Sequence, residues 1–97
     1  MHIDFTSVHN VNEQAVFDRV LADAARHPGV GANAELLADV ACVALNRLTP
    51  HYIRHDADRS FYQAQADILA RQQALTEAVE FAFGFVQARS ALGARRN

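Results

Sequence analysis

The sequence contains no lysine. All nine of its basic residues are arginines, and with eleven acidic residues they give a formal net charge of -2. Arg95 and Arg96 form the one adjacent basic pair, and there is no block of like charge. Proteins that grip nucleic acid through many phosphates need a broad basic surface, so we expect no DNA binding. A few arginines can still hold a small anionic ligand.

Cysteine is nearly absent too, with Cys42 as the single example. One cysteine cannot close an internal disulfide, and a thiol in an apolar stretch is usually a small buried hydrophobe. No apolar run approaches the roughly 20 residues of a membrane span. Residues 1–8 (MHIDFTSV) lack the basic and apolar regions of a signal peptide. We therefore expect a cytoplasmic protein that does not bind membranes.

The sequence has slightly more apolar residues than a monomer of this size can bury. The chain has 97 residues, enough for one domain, and 51% of them are hydrophobic. A domain of this size buries roughly 65% of the surface that its unfolded chain exposes. Association with a second copy would remove the remaining apolar surface from water, so we expect a homodimer.

A first helix is predicted to begin between Ser7 and Asn10. Asn10 and Glu13 have the spacing of a capping box, in which each side chain satisfies a free backbone N–H group. The apolar face of this helix is expected to consist of Phe17, Val20, Leu21 and Ala24. His27-Pro28-Gly29 ends the helix, and residues 28–33 are predicted to form a loop.

A second helix is predicted from Ala34 to Leu48, and it is apolar on almost every side, which is typical of a buried helix. Its polar exceptions are Asp39 and Asn46, which share one stripe, and Arg47, about 80° round from it. Buried polar groups are usually satisfied within the fold, so Asp39 would accept hydrogen bonds from backbone or an arginine and Asn46 would hold the Pro50 turn. Alternatively, Asp39 and Asn46 belong to a ligand pocket.

The segment after the second helix, residues 50–56, is predicted to be extended. Tyr52 and Arg54 would then point to one side, and His51, Ile53 and His55 to the other. A single short strand has open edges, so this one could pair with its own copy in a dimer.

A third and longest helix is predicted from Phe61 to about Leu92, after Asp56 and Asp58, which suit a helix N-terminus. Its apolar face consists of Phe61, Ile68, Leu75, Val79, Ala82 and Val86. Phe81, Phe83 and Phe85 widen this face so far that a second subunit should cover part of it. A bend near Gly84 or a break near Gln72-Gln73 is expected, with residues 93–97 frayed.

The predicted fold class is therefore all-α. It is a three-helix domain with a long C-terminal helix and a short extended segment after the second helix, and we expect it to dimerise.

Metal chemistry has one candidate cluster, formed by His51, His55, Asp56 and Asp58. The two histidines do not lie on one predicted helix face, and no further ligand pair occurs elsewhere in the sequence. We therefore predict no metal and no cofactor, and a metal-dependent hydrolase stays as a weaker alternative. No nucleophile-base arrangement, phosphate-binding loop or C-x-x-C motif is present, so we predict no catalytic residues and no enzyme activity.

Tyr52, with Arg47 and Arg54, is the strongest binding constellation. An aromatic ring stacks on a nucleobase with about 1–3 kcal/mol per base, and an arginine fork holds a phosphate through two charge-assisted bonds. In the alternative, Tyr52 packs into the core and the arginines are solvated or pair with Asp56 and Asp58. From the residues alone, this alternative is favoured.

Two stretches resemble the late competence development ComFB family, and together they extend over most of the chain. Asn10, Glu13 and Val16 match the family's opening N-x-x-E-x-x-V pattern. The next stretch matches the D-x-x-A-x-A-L-N-x-L-P-P-x-Y core without a gap, at Asp39, Ala44, Leu45, Asn46, Leu48, Pro50 and Tyr52. Cys42 and Thr49 are departures from this core. Some members carry a cysteine cluster before the aspartate that looks like a zinc site, but residues 29–38 (GVGANAELLA) have no cysteine, so zinc is not carried over.

The resemblance implies a small, helical, dimeric regulator without enzymatic activity, with a single ComFB-like domain over residues 1–97. Some relatives are receptors for cyclic di-GMP or cyclic di-AMP, so a cyclic dinucleotide is the implied ligand. The candidate ligand-binding residues are Asp39, Asn46, Arg47, Pro50, Tyr52 and Arg54. Alternatively, the chain is a protein-protein interaction or scaffold module linked to competence, with an unidentified protein partner and no small-molecule ligand.

Overall fold

The computed structural model describes residues 1–55, 57 and 65–96, and for residues 65, 66 and 94–96 it describes the backbone alone. In chain order the elements are β1 (His9–Asn10), α1 (Asn12–Asp23), a 3₁₀ turn (Ala24–Arg26), α2 (Pro28–Gly31), α3 (Ala34–Asn46), β2 (Tyr52–Ile53) and α4 (Gln65–Arg96). The predicted fold class is confirmed: the chain is mainly helical, with a long C-terminal helix and a short extended segment after α3. None of the described helices is long and apolar enough to cross a membrane.

One face of α4 supplies about half of the core. Phe83 is fully buried there, and its ring stacks on the imidazole of His27 with centroids 4.1 Å apart. The other buried α4 residues are Ala78, Val79, Ala82 and Val86, and they pack with Val16 and Val20 of α1, Val30 of α2, and Val40, Ala41 and Ala44 of α3. The predicted face of this helix is thus confirmed at Val79, Ala82 and Val86.

The rest of α4 differs from prediction. The helix runs without a break through Gln72-Gln73, so the predicted break there is wrong. Its backbone is helical as far as Arg96, and Asn97 lies outside the described residues. Leu75 packs against the core while partly exposed. The predictions for Asp56, Asp58 and Phe61 also fall outside the described residues.

The predicted apolar face of α1 is confirmed at Val20 but is wrong at Phe17 and Leu21. Phe17 is 42% exposed and Leu21 is 67% exposed, whereas Val16 and Val20 are buried. The buried stripe continues to a carboxylate, Asp23, which is also buried. Two arginines neutralise that carboxylate, from Arg19 Nε at 2.9 Å and from Arg26 Nη2 at 2.8 Å. Arg19 also donates to Thr76 Oγ1, which links α1 to α4.

The predicted capping box at Asn10 and Glu13 is wrong, and α1 begins after the predicted range of Ser7 to Asn10. The helix begins at Asn12, its N-cap residue is Val11, and no side chain caps it. Asn10 lies in β1 instead, buried, and its Oδ1 accepts from the backbone N–H groups of Asn12 and His51, at 3.2 and 3.0 Å. The Asn10 side-chain oxygen therefore joins the start of α1 to the segment before β2, instead of capping a helix.

The strands form a two-stranded antiparallel ribbon in which Asn10 lies opposite Tyr52 and His9 opposite Ile53. Thus β2 pairs with a strand of its own chain, where a second copy was the predicted partner. The ribbon is extended by Val11 N–H donating to the His51 carbonyl at 2.8 Å and by Asn12 Nδ2 donating to the Thr49 carbonyl at 2.9 Å. Asn10 and Asn12, not Asn46, therefore hold the turn at Pro50.

Residues 28–31 form a helical turn, where a loop was predicted. Pro28 is at the start of α2, a position where its missing N–H group is not needed. Gly31 ends this turn against the 3₁₀ segment: a Cβ there would lie 2.7 Å from the carbonyl carbon of Ala24 and closer still to its oxygen. This close approach of two backbones requires glycine.

The prediction for α3 is confirmed in its bounds to within two residues. Its N-cap residue is Asn33, whose side chain accepts from Leu36 N–H at 3.1 Å. Its burial was predicted wrongly. Val40, Ala41 and Ala44 are buried, but Cys42 is exposed, as is Asn46. The helix is covered on one side only, because α1, α2 and α4 do not surround it.

We predict that Gly31→Ala destabilises the fold by about 1–3 kcal/mol or more, because the new methyl group meets the Ala24 carbonyl. Chemical denaturation of both variants measures this effect against Gly29→Ala, which adds its methyl group in open space. The control should change the free energy of unfolding by no more than about 1 kcal/mol. Equal effects in the two variants would contradict the close approach.

We predict that Asn10→Ala lowers the free energy of unfolding by about 1–3 kcal/mol, since the N–H group of His51 loses its acceptor. Hydrogen exchange at the His51 amide should accelerate. Asn10→Asp keeps an oxygen at the same position and should retain most of the protection. A slow His51 amide in Asn10→Ala would show that the ribbon does not depend on this side chain.

Candidate functional site

The ribbon holds an aromatic side chain out at the surface. Side chains alternate along β2, so that Ile53 is 7% exposed and Tyr52 is 62% exposed. Arg54 follows the end of β2 and is exposed, with its Nε donating to Ser7 Oγ at 3.2 Å. The alternative in which Tyr52 packs into the core is therefore wrong. Both side chains are accessible from the solvent.

A cleft of about 700 Å³ lies where the turn before β2 meets α1 and α4. Its walls combine apolar and polar side chains, contributed by Val11, Asn12, Ala15, Leu48, Thr49, Pro50, His51, Asp67, Ile68, Ala70, Arg71, Gln72, Ala74 and Leu75. Of the predicted site residues, Pro50 lines it. The volume lies within the range of small-molecule sites.

Arg71 is connected to the turn across this cleft. Its Nη2 lies 2.7 Å from Nδ1 of His51. A guanidinium group can only donate, so Nδ1 is the acceptor in this contact. Both backbone polar groups of His51 are bonded to Asn10 and Val11, so the main chain of His51 is held in place.

A second surface is formed by α3 and α4, which run antiparallel. The Arg47 guanidinium carbon lies 3.8 Å from the centre of the Phe81 ring, and that of Arg89 lies 5.4 Å from the centre of the Phe85 ring. The two rings stack on each other, with centroids 5.9 Å apart. We call Arg47, Phe81, Phe85 and Arg89 the Arg–Phe face. Both phenylalanines are more than 40% exposed, at 42% and 45%.

The polar stripe of α3 borders this Arg–Phe face. Asp39 forms an ion pair with Arg89, with Oδ2 and Nη2 3.4 Å apart, and its side chain is 49% exposed. Asn46 Nδ2 donates to Cys42 Sγ at 3.8 Å, and both residues are exposed. The prediction that Asp39 binds an arginine is confirmed, whereas the prediction that both polar residues are buried is wrong.

The six predicted site residues therefore fall into two groups. Tyr52 and Arg54 lie on the ribbon, with Pro50 in the adjoining cleft. The α3 residues, Asp39, Asn46 and Arg47, lie on or beside the Arg–Phe face. Arg47 contacts Phe81, so the structure does not show it beside Tyr52.

The weaker metal alternative gains no geometric support from the part of the chain that the structure describes. No group of three or more histidine, cysteine, aspartate or glutamate side chains there could hold a metal ion. His51 is engaged by Arg71 through Nδ1. Asp56 and Asp58 lie outside the described residues.

Two residues that shape these surfaces, Arg71 and Arg89, were not singled out from the sequence. Arg71 and His51 are twenty positions apart, and no local pattern joins them. Asn10 was assigned to a helix cap because its spacing from Glu13 is that of a capping box. Arg89 could have been found, since Phe81, Phe85 and Arg89 recur every four residues on one face of a helix.

Comparison with known proteins returned one family. Neither the curated proteins nor the solved structures gave a significant match. The model of the family described as late competence development protein ComFB matches residues 9–90, which include the ribbon, the cleft and the Arg–Phe face. On this match over most of its length, the chain belongs to the ComFB family.

Proposed function

We propose that this chain is a non-enzymatic, homodimeric regulatory protein that binds a cyclic dinucleotide. The observation that carries the proposal is the exposed ring of Tyr52 beside Arg54, held on a ribbon that its own chain completes. Family membership supports it, because the resemblance to ComFB implies a dimeric regulator whose relatives include receptors for such ligands.

The chemistry of Tyr52 and Arg54 suits the two parts of a nucleotide. Tyr52 offers a ring face on which a base can stack, worth about 1–3 kcal/mol. Arg54 uses one N–H group on Ser7 and keeps its remaining donors for a phosphate. A cyclic dinucleotide has two bases and two phosphates, so the two copies in a homodimer provide one Tyr52–Arg54 pair for each half. Pro50 adds an apolar edge where the ribbon meets the cleft.

The Arg–Phe face is the surface we propose for the dimer. Phe81 and Phe85 expose large apolar rings, and aromatic residues and arginine are enriched where protein interfaces gain most of their binding energy. Asp39 and Arg89 put both charge signs at one end of the face, so a two-fold copy can match each charge with its opposite. Asp39, Asn46 and Arg47 act here in our proposal.

A protein-interaction module is the second candidate function, and the same Arg–Phe face favours it. An exposed pair of stacked phenylalanines flanked by arginines suits a protein partner as well as a second copy. In that case no small-molecule ligand is needed, and Tyr52 would be a further contact residue.

We predict that Tyr52→Ala weakens cyclic di-GMP binding by about tenfold or more, because a base loses its stacking partner. Arg54→Ala should weaken it similarly by removing a charge-assisted bond. Isothermal titration calorimetry with cyclic di-GMP, then cyclic di-AMP, measures both effects. Arg47→Ala tests whether the Arg–Phe face takes part.

Leu21→Ala is the matched control for this titration, because Leu21 is 67% exposed on α1 and its loss should leave affinity unchanged. Tyr52→Phe keeps the ring and should keep most of the affinity. If neither ligand gives heat with the unaltered protein, the receptor proposal fails and the interaction module takes its place.

We predict that Phe85→Glu converts the protein from dimer to monomer, since it buries a charge without a partner in the interface. Sedimentation equilibrium over a range of concentrations measures the change. Phe17→Glu is the matched control, because Phe17 is 42% exposed on α1 and lies outside the Arg–Phe face. An unaltered protein that sediments as a monomer would contradict the dimer.

A further inference from the structure

We infer that the cleft between the Pro50 turn and α4 is a binding site for a small organic monoanion with an apolar body, and that Arg71 binds the anionic group. This goes beyond the proposed function, because neither Tyr52 nor Arg54 lines the cleft.

The charge of Arg71 is the first argument. Among the described residues, Arg19 and Arg26 pair with Asp23, and Arg89 pairs with Asp39. Within that same part of the chain Arg71 has no carboxylate within 4 Å, and its hydrogen bond goes to the imidazole of His51. The guanidinium group thus keeps its full positive charge and spare donors toward a ligand.

The fixed position of Arg71 is the second argument. A free surface arginine loses much rotamer freedom when it binds a ligand. Here the bond to His51 holds the guanidinium group in advance, and His51 is itself held by Asn10 and Val11. A donor that is already oriented binds an anion at a lower entropic cost.

The lining of the cleft defines the rest of the ligand. Apolar side chains make up most of the walls, so they suit a ring or a hydrocarbon body. Asp67 lies one helical turn before Arg71 and also lines the cleft. Its negative charge disfavours dianions and leaves room for one anionic group, as in a carboxylate, a sulfonate or a phosphodiester.

The test uses the full chain and two probes that differ in charge. ¹H–¹⁵N NMR titration compares 1-naphthalenesulfonate with the uncharged 1-naphthalenesulfonamide. We expect the sulfonate to bind saturably, to shift the amides of Asn12, Thr49, His51 and residues 67–75, and to bind more tightly than the sulfonamide. Equal affinities of the two probes, or shifts confined to the Arg–Phe face, would overturn the inference.

Variants then assign the anion to Arg71. Arg71→Gln should weaken sulfonate binding by about tenfold, as expected for a lost charge-assisted bond, while leaving the sulfonamide unaffected. Arg71→Lys, which keeps the charge, should retain part of the sulfonate affinity. Arg26→Gln is the control for removing a surface arginine, and it should change neither probe. Unchanged sulfonate binding in Arg71→Gln would refute the role of Arg71.

This result is independent of the cyclic dinucleotide titration. Tyr52→Ala should leave the sulfonate affinity unchanged, because Tyr52 lies outside the cleft. Failure of the sulfonate to bind therefore speaks against the cleft alone, and failure of cyclic dinucleotides to bind speaks against the ribbon alone.

Discussion

Burial of one face of α4 is the interaction on which the other elements depend. Phe83 lies at its centre, with no exposed surface and its ring against His27. The valines of α1, α2 and α3 all pack onto this face, so none of those short helices would bury its apolar side without α4. Because the core takes only one stripe of α4, Phe81 and Phe85 lie outside it and stay partly exposed.

Polar side chains position the functional surfaces on this core. Asn10 binds β1 to the turn at His51, and His51 binds Arg71 of α4. The ribbon and the cleft are therefore joined by one chain of hydrogen bonds from the start of α1 to the N-terminal half of α4. The side-chain oxygen of Asn10 therefore helps to position both the ribbon and the cleft.

The ribbon and the Arg–Phe face differ in how their arginines are held. On the ribbon, the ring of Tyr52 and the side chain of Arg54 are exposed. On the Arg–Phe face the arginines lie on the phenylalanine rings, where they cover apolar surface and still present charge.

Local pattern in the sequence was enough for the three longer helices and for the apolar stripe of α4, because the 3.6-residue period records which side is buried. It also predicted the short extended segment that contains Tyr52. It could not decide that α3 is covered on one side only, so Cys42 and Asn46 were expected to be buried. It could not join Asn10 to His51 or His51 to Arg71, because these contacts span 41 and 20 positions. Periodicity in the sequence indicates which side of a helix or strand faces the core. Which other element packs on that side depends on contacts between segments that are distant in the sequence.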